Sequence, residues 1–311
     1  MDPFSTARLF AGAAFLAVAA GMDLRTRHVP NPLWVLLGTL GLGLVVVDLA
    51  MSSASAEYYV VLASAAGLFY AVFFGEPLLD EDGFHGRRLR IGLLGLALVG
   101  LVGATWNVVA SGRTDSVAFL EYLTMPVMVL VYQGMYQVRL LHGGADAKAL
   151  IALTLLVPTY PDLGPAIGPM VVDARIDAAM RLWFPFSFVV LVNAMLLFLA
   201  IPLGYLLHNA VRGDLRFPMA FLGRRADLDD LPPHVWLMER IDDRGEHVVV
   251  LFPRRGRDRD SEVERLRRAG IRRAWVQPKV PFMVPLLGGF LLAFLVGNLL
   301  LGFLSLLGPR G

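Results

Sequence analysis

Long aliphatic runs, separated by short breaks rich in charge, proline, glycine or serine, dominate the pattern of this chain. A helix needs roughly 20 apolar residues to cross about 30 Å of hydrocarbon, so runs of this length predict membrane-spanning helices. Eight are expected, at residues 4–22, 32–49, 58–74, 89–109, 117–141, 146–160, 182–207 and 282–307. The sixth is short. The first is read as a span and not as a cleaved signal peptide, because Arg25, Arg27 and His28 follow it in place of a small-residue cleavage site. The pattern changes only between residues 208 and 280. There, alternating apolar positions predict strands at 235–241, 247–252 and 271–276, with an Asp-Asp-Arg-Gly turn after the first and a charged helix at 260–269. Ser261 and Glu264 have capping-box spacing at the start of that helix, and Gly270 stands where it should stop. The expected architecture is an α-helical polytopic membrane protein of about eight transmembrane helices with a small α+β domain inserted before the last. Its segments are a core at 1–207, the insert at 208–280 and a C-terminal helix at 281–311.

Composition agrees with this reading. Of 311 residues, 56% are hydrophobic and 17% charged, which excludes intrinsic disorder and is wrong for a soluble enzyme. With no Cys, a disulfide scaffold and cysteine-ligated metal or thiol chemistry are also excluded. A net charge of +2 gives little reason to expect a nucleic-acid partner.

The distribution of charge says more. Grouping 23–31, 75–90, 138–148 and 208–279 on one side of the membrane collects 23 of the 28 Lys and Arg residues. The other side keeps Arg8, Arg113, Arg175, Arg181 and Arg310. The positive-inside rule makes the first group cytoplasmic, although over the short loops alone the margin is 7 to 5. The arginines at 254–259 and 265–273 read as a solvated surface facing the membrane, open to anionic lipid headgroups.

Two aspartates sit at cytoplasmic ends of apolar runs. Asp23 follows 14 uncharged residues, 9–22, which make only about 21 Å of helix. Either Arg8 snorkels outward or the helix continues past Asp23, and both place the carboxylate at the edge of the hydrocarbon. Asp146 precedes a short apolar stretch at 149–157 that must draw Lys148 and Asp146 toward the membrane. Pro30 and Asn31 form a turn into the second helix. Gly143, Gly144, Ala145 and Ala147 around Asp146 let another backbone, and so a second carboxylate, approach it. His28, His85 and His142 share no helix-face spacing, so no metal site and no cofactor are expected.

At these residues the chain resembles the type IV prepilin peptidases, which are intramembrane aspartic proteases with a Gly-x-Gly-Asp motif. Asp23, Arg25, Pro30 and Asn31 match the family's first-aspartate segment, and Gly143, Asp146 and Lys148 its second. The lack of Cys, the insert and the Pro278-Lys279-Val280-Pro281-Phe282 entry to the last helix look like the archaeal branch, which processes preflagellins and pilins. Ala145 stands at the family's second glycine, and the aspartates lie 123 residues apart, farther than in compact archaeal members. Bacterial relatives add a methyltransferase activity with a cysteine-rich insert, for which a chain without Cys gives no support.

The resemblance implies a membrane aspartic endopeptidase with Asp23 and Asp146 as catalytic pair. Its substrates are prepilin or preflagellin precursors carrying a short basic leader before a hydrophobic helix, cut on the cytoplasmic face of the cell membrane. Glu76, Asp80, Glu81 and Asp82, in the loop after the third helix, are the candidates to receive the leader. Two other functions use membrane aspartates. An ion-coupled secondary transporter places them near the midplane of inverted repeats, whereas both aspartates here lie near one face and no internal repeat is evident. A presenilin-like intramembrane protease carries a Pro-Ala-Leu triplet that this chain lacks near its C-terminus.

Overall fold

The structure is a computed structural model, and it describes residues 2–74, 79–80, 83–84, 88–112, 116–141, 143–161, 183–232, 234–242, 244–251, 253 and 258–307. Two compact units emerge, Met1–Met195 with Phe282–Gly311, and Leu196–Pro281.

The first unit is helical. It holds α1 (Pro3–Thr26), α2 (Asn31–Met51), α3 (Ala56–Phe74), α4 (Arg88–Ala110), α5 (Ser116–Gln137), α6 (Gly144–Leu156), the first part of α7 (Phe186–Val211), α10 (Met283–Leu295) and α11 (Leu299–Leu307), with a small hairpin of β1 (Leu79–Asp80) and β2 (Gly83–Phe84). Among the described residues, Pro3–Thr26, Asn31–Met51, Ala56–Phe74, Val117–Gln137 and Phe186–Val211 are long and apolar enough to cross a membrane. They correspond to five of the eight expected spans. The fourth run is helical with a described apolar length of Gly95–Ala110.

The sixth run forms a different kind of element. At 13 residues α6 is only about 20 Å long, and Ala147 and every residue from Ala149 to Leu156 are buried. A helix apolar on all sides belongs inside a bundle, and α6 packs on α2, α5, α1 and α3. Its backbone lies directly on α2, where a Cβ at Gly41 would meet Leu156 Cα at 2.6 Å. A buried chain of hydroxyls ties its far end. Thr154 Oγ1 lies 2.8 Å from Ser187 Oγ on α7, and Tyr132 on α5 donates to the same Ser187 at 3.0 Å.

The eighth run is broken into α10 and α11, where a single helix over 282–307 was expected. Gly297 takes φ +91°, and the freed backbone groups are satisfied by Asn193, itself fully buried. Its amide Nδ2 donates to the Gly297 carbonyl at 2.9 Å, and its Oδ1 accepts from Leu299 N–H at 3.1 Å. Unpaired backbone groups are costly away from water, so an interrupted membrane helix requires such a partner.

The second unit contains the C-terminal part of α7, α8 (Met219–Leu222), α9 (Arg259–Arg268) and five strands. These are β3 (Arg224–Asp227), β4 (Val235–Leu237), β5 (Glu239–Ile241), β6 (His247–Val249) and β7 (Arg273–Pro278). β7 is the centre of an antiparallel sheet of order β3-β7-β4, and β5 and β6 form a separate hairpin. Alternation sends Ala274 and Val276 into a core with Val263 and Leu266 of α9, and sends Trp275 toward Met238 and Ala220 on the other face.

Three details differ from expectation. The strand expected at 235–241 divides at Met238 because its two halves pair with different partners. β3, whose Arg-Arg-Ala-Asp sequence carries no strand pattern, was not foreseen. The N-cap of α9 is Asp258, which accepts from Asp260 and Ser261 N–H, so Ser261 lies inside the first turn and the proposed capping box is not used. Gly270 does terminate this helix, at φ +78°, with its N–H on Arg267 and that of Ile271 on Leu266.

Candidate active site

α1 runs on through Asp23 to Thr26, where Arg27 closes it in the left-handed conformation with its N–H on the Asp23 carbonyl. The helix therefore gains length by continuing past the carboxylate. The other expectation, Arg8 snorkelling to the outer surface, is overturned. Arg8 is 3% exposed, and its Nη2 lies 2.8 Å from Asp48 Oδ2 on α2. A charge with a partner inside the bundle has no need to reach water.

Asp23 is half-buried, and its Oδ2 accepts a hydrogen bond at 3.3 Å from the N–H of Met283, the first residue of α10. This brings residues 260 positions apart into contact. No side-chain pattern could have announced it, because the donor is main chain.

Asp146, also half-buried, lies in the first turn of α6. Its carboxylate folds back over the N-cap residue Gly143, where an added Cβ would sit 2.2 Å from Oδ2. Gly143 thus leaves the space that the carboxylate occupies. The next glycine has another neighbour, since a Cβ on Gly144 would lie 3.3 Å from the Tyr136 hydroxyl on α5. Ala145 is half-buried at the edge of the bundle core. α1, which carries Asp23, meets α6, which carries Asp146.

Lys148 makes the most direct link between the two motif segments. Its Nζ donates to Asn31 Oδ1 at 2.8 Å and stands 5.7 Å from the centre of the Phe73 ring. It makes no ion pair with Asp146; its charge is directed to α2 and α3. Asn31 is available because Pro30 caps α2 and sets Asn31 as the first helical residue. Arg25 is exposed in the last turn of α1, where a cation suits the carbonyl end of the helix.

Asn31 and Lys148 therefore meet between α2 and α6, Asp23 and Asp146 stand on the contacting helices α1 and α6, and Arg25 points to solvent. Glu76, Glu81 and Asp82 lie outside the described residues, as do His85 and His142, and Asp80 is described only as backbone in β1. Among the described residues no three His, Asp or Glu side chains gather as a metal site would require. Met283, Phe73 and Tyr136 were not foreseen. Phe73 and Tyr136 sit in apolar runs that give no local sign of facing Lys148 or Gly144.

Five apolar helices of membrane-spanning length among the described residues mark a multi-pass helical membrane protein. The comparisons narrow the class. Residues 215–299 match the family described as Archaeal Peptidase A24 C-terminus Type II. Over 217 residues the chain is 24% identical to a preflagellin peptidase of Methanocaldococcus jannaschii, an alignment covering 67% of this chain and 86% of that protein. Together these matches make the chain similar to the archaeal A24 peptidases and to a preflagellin peptidase, which supports a protease.

Proposed function

We propose that this chain is an aspartic endopeptidase of the cell membrane that removes the short basic leader from preflagellin or type IV prepilin-like precursors at the cytoplasmic face. What supports the reading is that α1, which carries Asp23 in its last turn, packs against α6, which carries Asp146 in its first turn, 123 residues away in sequence. Two carboxylates sharing a site hold one proton between them, so one acts as base and the other as acid. The base takes a proton from water as its oxygen adds to the scissile carbonyl carbon. The acid hydrogen-bonds the carbonyl oxygen and stabilises the tetrahedral intermediate, whose collapse breaks the C–N bond and delivers a proton to the leaving amine.

The proposed orientation rests on the basic residues, which favour the cytoplasmic side for the two aspartates and for the insert at 208–280. Glu76, Asp80, Glu81 and Asp82 are proposed to receive the leader by charge. The test is incubation of the purified full chain in lipid with a leader-bearing precursor. A product shortened by the leader is expected, and Asp23→Asn or Asp146→Asn should abolish it while the protein stays folded. Processing at a near wild-type rate by either variant would remove the pair from the mechanism.

A further inference from the structure

Beside Gly144 a cleft of about 320 Å³ opens at the end of α5, lined among the described residues by Tyr136, Gln137, Arg139 and Leu141. The turn after α5 builds it. Leu140 and Leu141 N–H return to the Met135 carbonyl at 2.9 and 3.2 Å, and Arg139 takes φ +60°. The cleft and the Asp146 carboxylate therefore flank consecutive glycines, with Tyr136 against Gly144 and the carboxylate over Gly143. The hydroxyl of Tyr136, the amide of Gln137 and the guanidinium of Arg139 make no hydrogen bond or ion pair with any described residue. All three side chains are exposed.

We propose that this cleft is a peptide subsite that takes the substrate residues on the side of the scissile bond away from the basic leader, and that Arg139 selects there for an acidic or neutral side chain over a cationic one. The proposal rests on the leader-peptidase reading above. Its volume is at the small end of the range of about 300–1,000 Å³ for ligand sites, enough for a short extended stretch of chain. Tyr136 and Gln137 offer a donor and acceptors to the main chain of such a stretch. The one charge among the described lining residues is positive, so a leader rich in Lys and Arg is repelled from it and the opposite flank of the cut is admitted. Discrimination by an unfavourable charge pair is the simplest way to fix which end of a peptide lies on which side of a catalytic pair.

The experiment uses the full chain in nanodiscs with leader-bearing peptides that carry Asp, Asn or Lys in turn at each of the first few positions after the cut. Wild type is expected to prefer Asp to Lys at one of these positions by on the order of tenfold, mostly through KM, with the preference shrinking at high salt. Arg139→Glu should reverse that preference. Arg139→Asn, which suits a left-handed backbone, should erase it. Changes of leader charge should affect all three enzymes alike. Binding of the same peptides to Asp23→Asn, with and without the Arg139 changes, separates the two readings. No cleavage of any leader peptide by wild type sinks the peptidase reading. Cleavage with an Asp/Lys preference indifferent to Arg139, or a leader preference that shifts with it, overturns the subsite.

Discussion

The ammonium of Lys148 on α6 donates to the side-chain oxygen of Asn31 on α2 at 2.8 Å, joining two positions 117 residues apart. The bond holds the start of α6 in register with the start of α2. Its position makes it a fixture of geometry, since Lys148 makes no ion pair with either carboxylate.

The two residues should therefore behave as a coupled pair. The bond is partly open to water, so a net contribution of about 0.5–1.5 kcal/mol is expected, and Lys148→Gln or Asn31→Ala should lower kcat/KM by roughly three- to tenfold. The double variant should be no worse than the poorer single. Additive losses in leader cleavage would mean that each residue acts alone.

Gly143 and Gly144 should respond very differently to a single methyl group. A Cβ at 143 would overlap the Asp146 carboxylate at 2.2 Å, so Gly143→Ala must displace the carboxylate itself. A shift of about 1 Å in a catalytic group costs on the order of a hundredfold in rate. At 144 the new atom would meet only the far end of the Tyr136 side chain at 3.3 Å, which can swing away. Gly144→Ala should keep most activity, and equal loss in both variants would show that the glycines serve only the turn.

The ion pair of buried Arg8 and half-buried Asp48 lies near the opposite ends of α1 and α2 from Asp23 and Asn31, so it should affect stability and spare catalysis. Arg8→Met strands Asp48 and should cost about 3 kcal/mol, while Arg8→Met with Asp48→Leu should recover much of that loss. Thermal unfolding in a fixed detergent reads the difference. A double variant as unstable as the single would argue that packing, and not the stranded charge, sets the cost.

What the sequence could reveal divides along the range of the interaction. Asp23 and Asp146 attract notice because a carboxylate at the end of an apolar run is locally anomalous, and Asn31 and Lys148 because they accompany it in a motif. Contacts that depend on topology leave no local trace. Asn193 is one polar residue in an apolar helix until Gly297 and Leu299 come beside it. Arg8 read as a residue bound for water because nothing near it in sequence named Asp48 as its partner. The burial of α6 on every side left no local trace either, because uniform apolarity fits both a lipid-facing helix and one enclosed by other helices.

Asn193 offers a test of the broken last helix. Replacing it by Leu leaves the Gly297 carbonyl and the Leu299 N–H without their partner, which should cost about 1–3 kcal/mol in thermal stability. Gly297→Ala in the same background removes the easy access to φ +91° and should favour one continuous helix, so that the combined variant recovers stability. If Asn193→Leu unfolds no more readily than wild type, the break is satisfied by other groups.

The last prediction concerns the aspartates as a unit. Asn in place of either keeps size and most hydrogen bonding but removes the transferable proton and the charge, so each single variant should lose nearly all leader cleavage. Residues that form one catalytic device are strongly non-additive, and Asp23→Asn with Asp146→Asn together should be little worse than either alone. Glu should also fail at 146, since its extra methylene moves a carboxylate that is now folded over Gly143 by about 1 Å or more. At 23 the same change should move the oxygen away from the Met283 N–H, so Asp23→Glu tests whether the start of α10 helps to position the group. The measurement is single-turnover cleavage of a leader-bearing precursor, with circular dichroism as the control for folding. Independent, multiplicative losses for the two Asn substitutions would show two separate contributions in place of a shared pair.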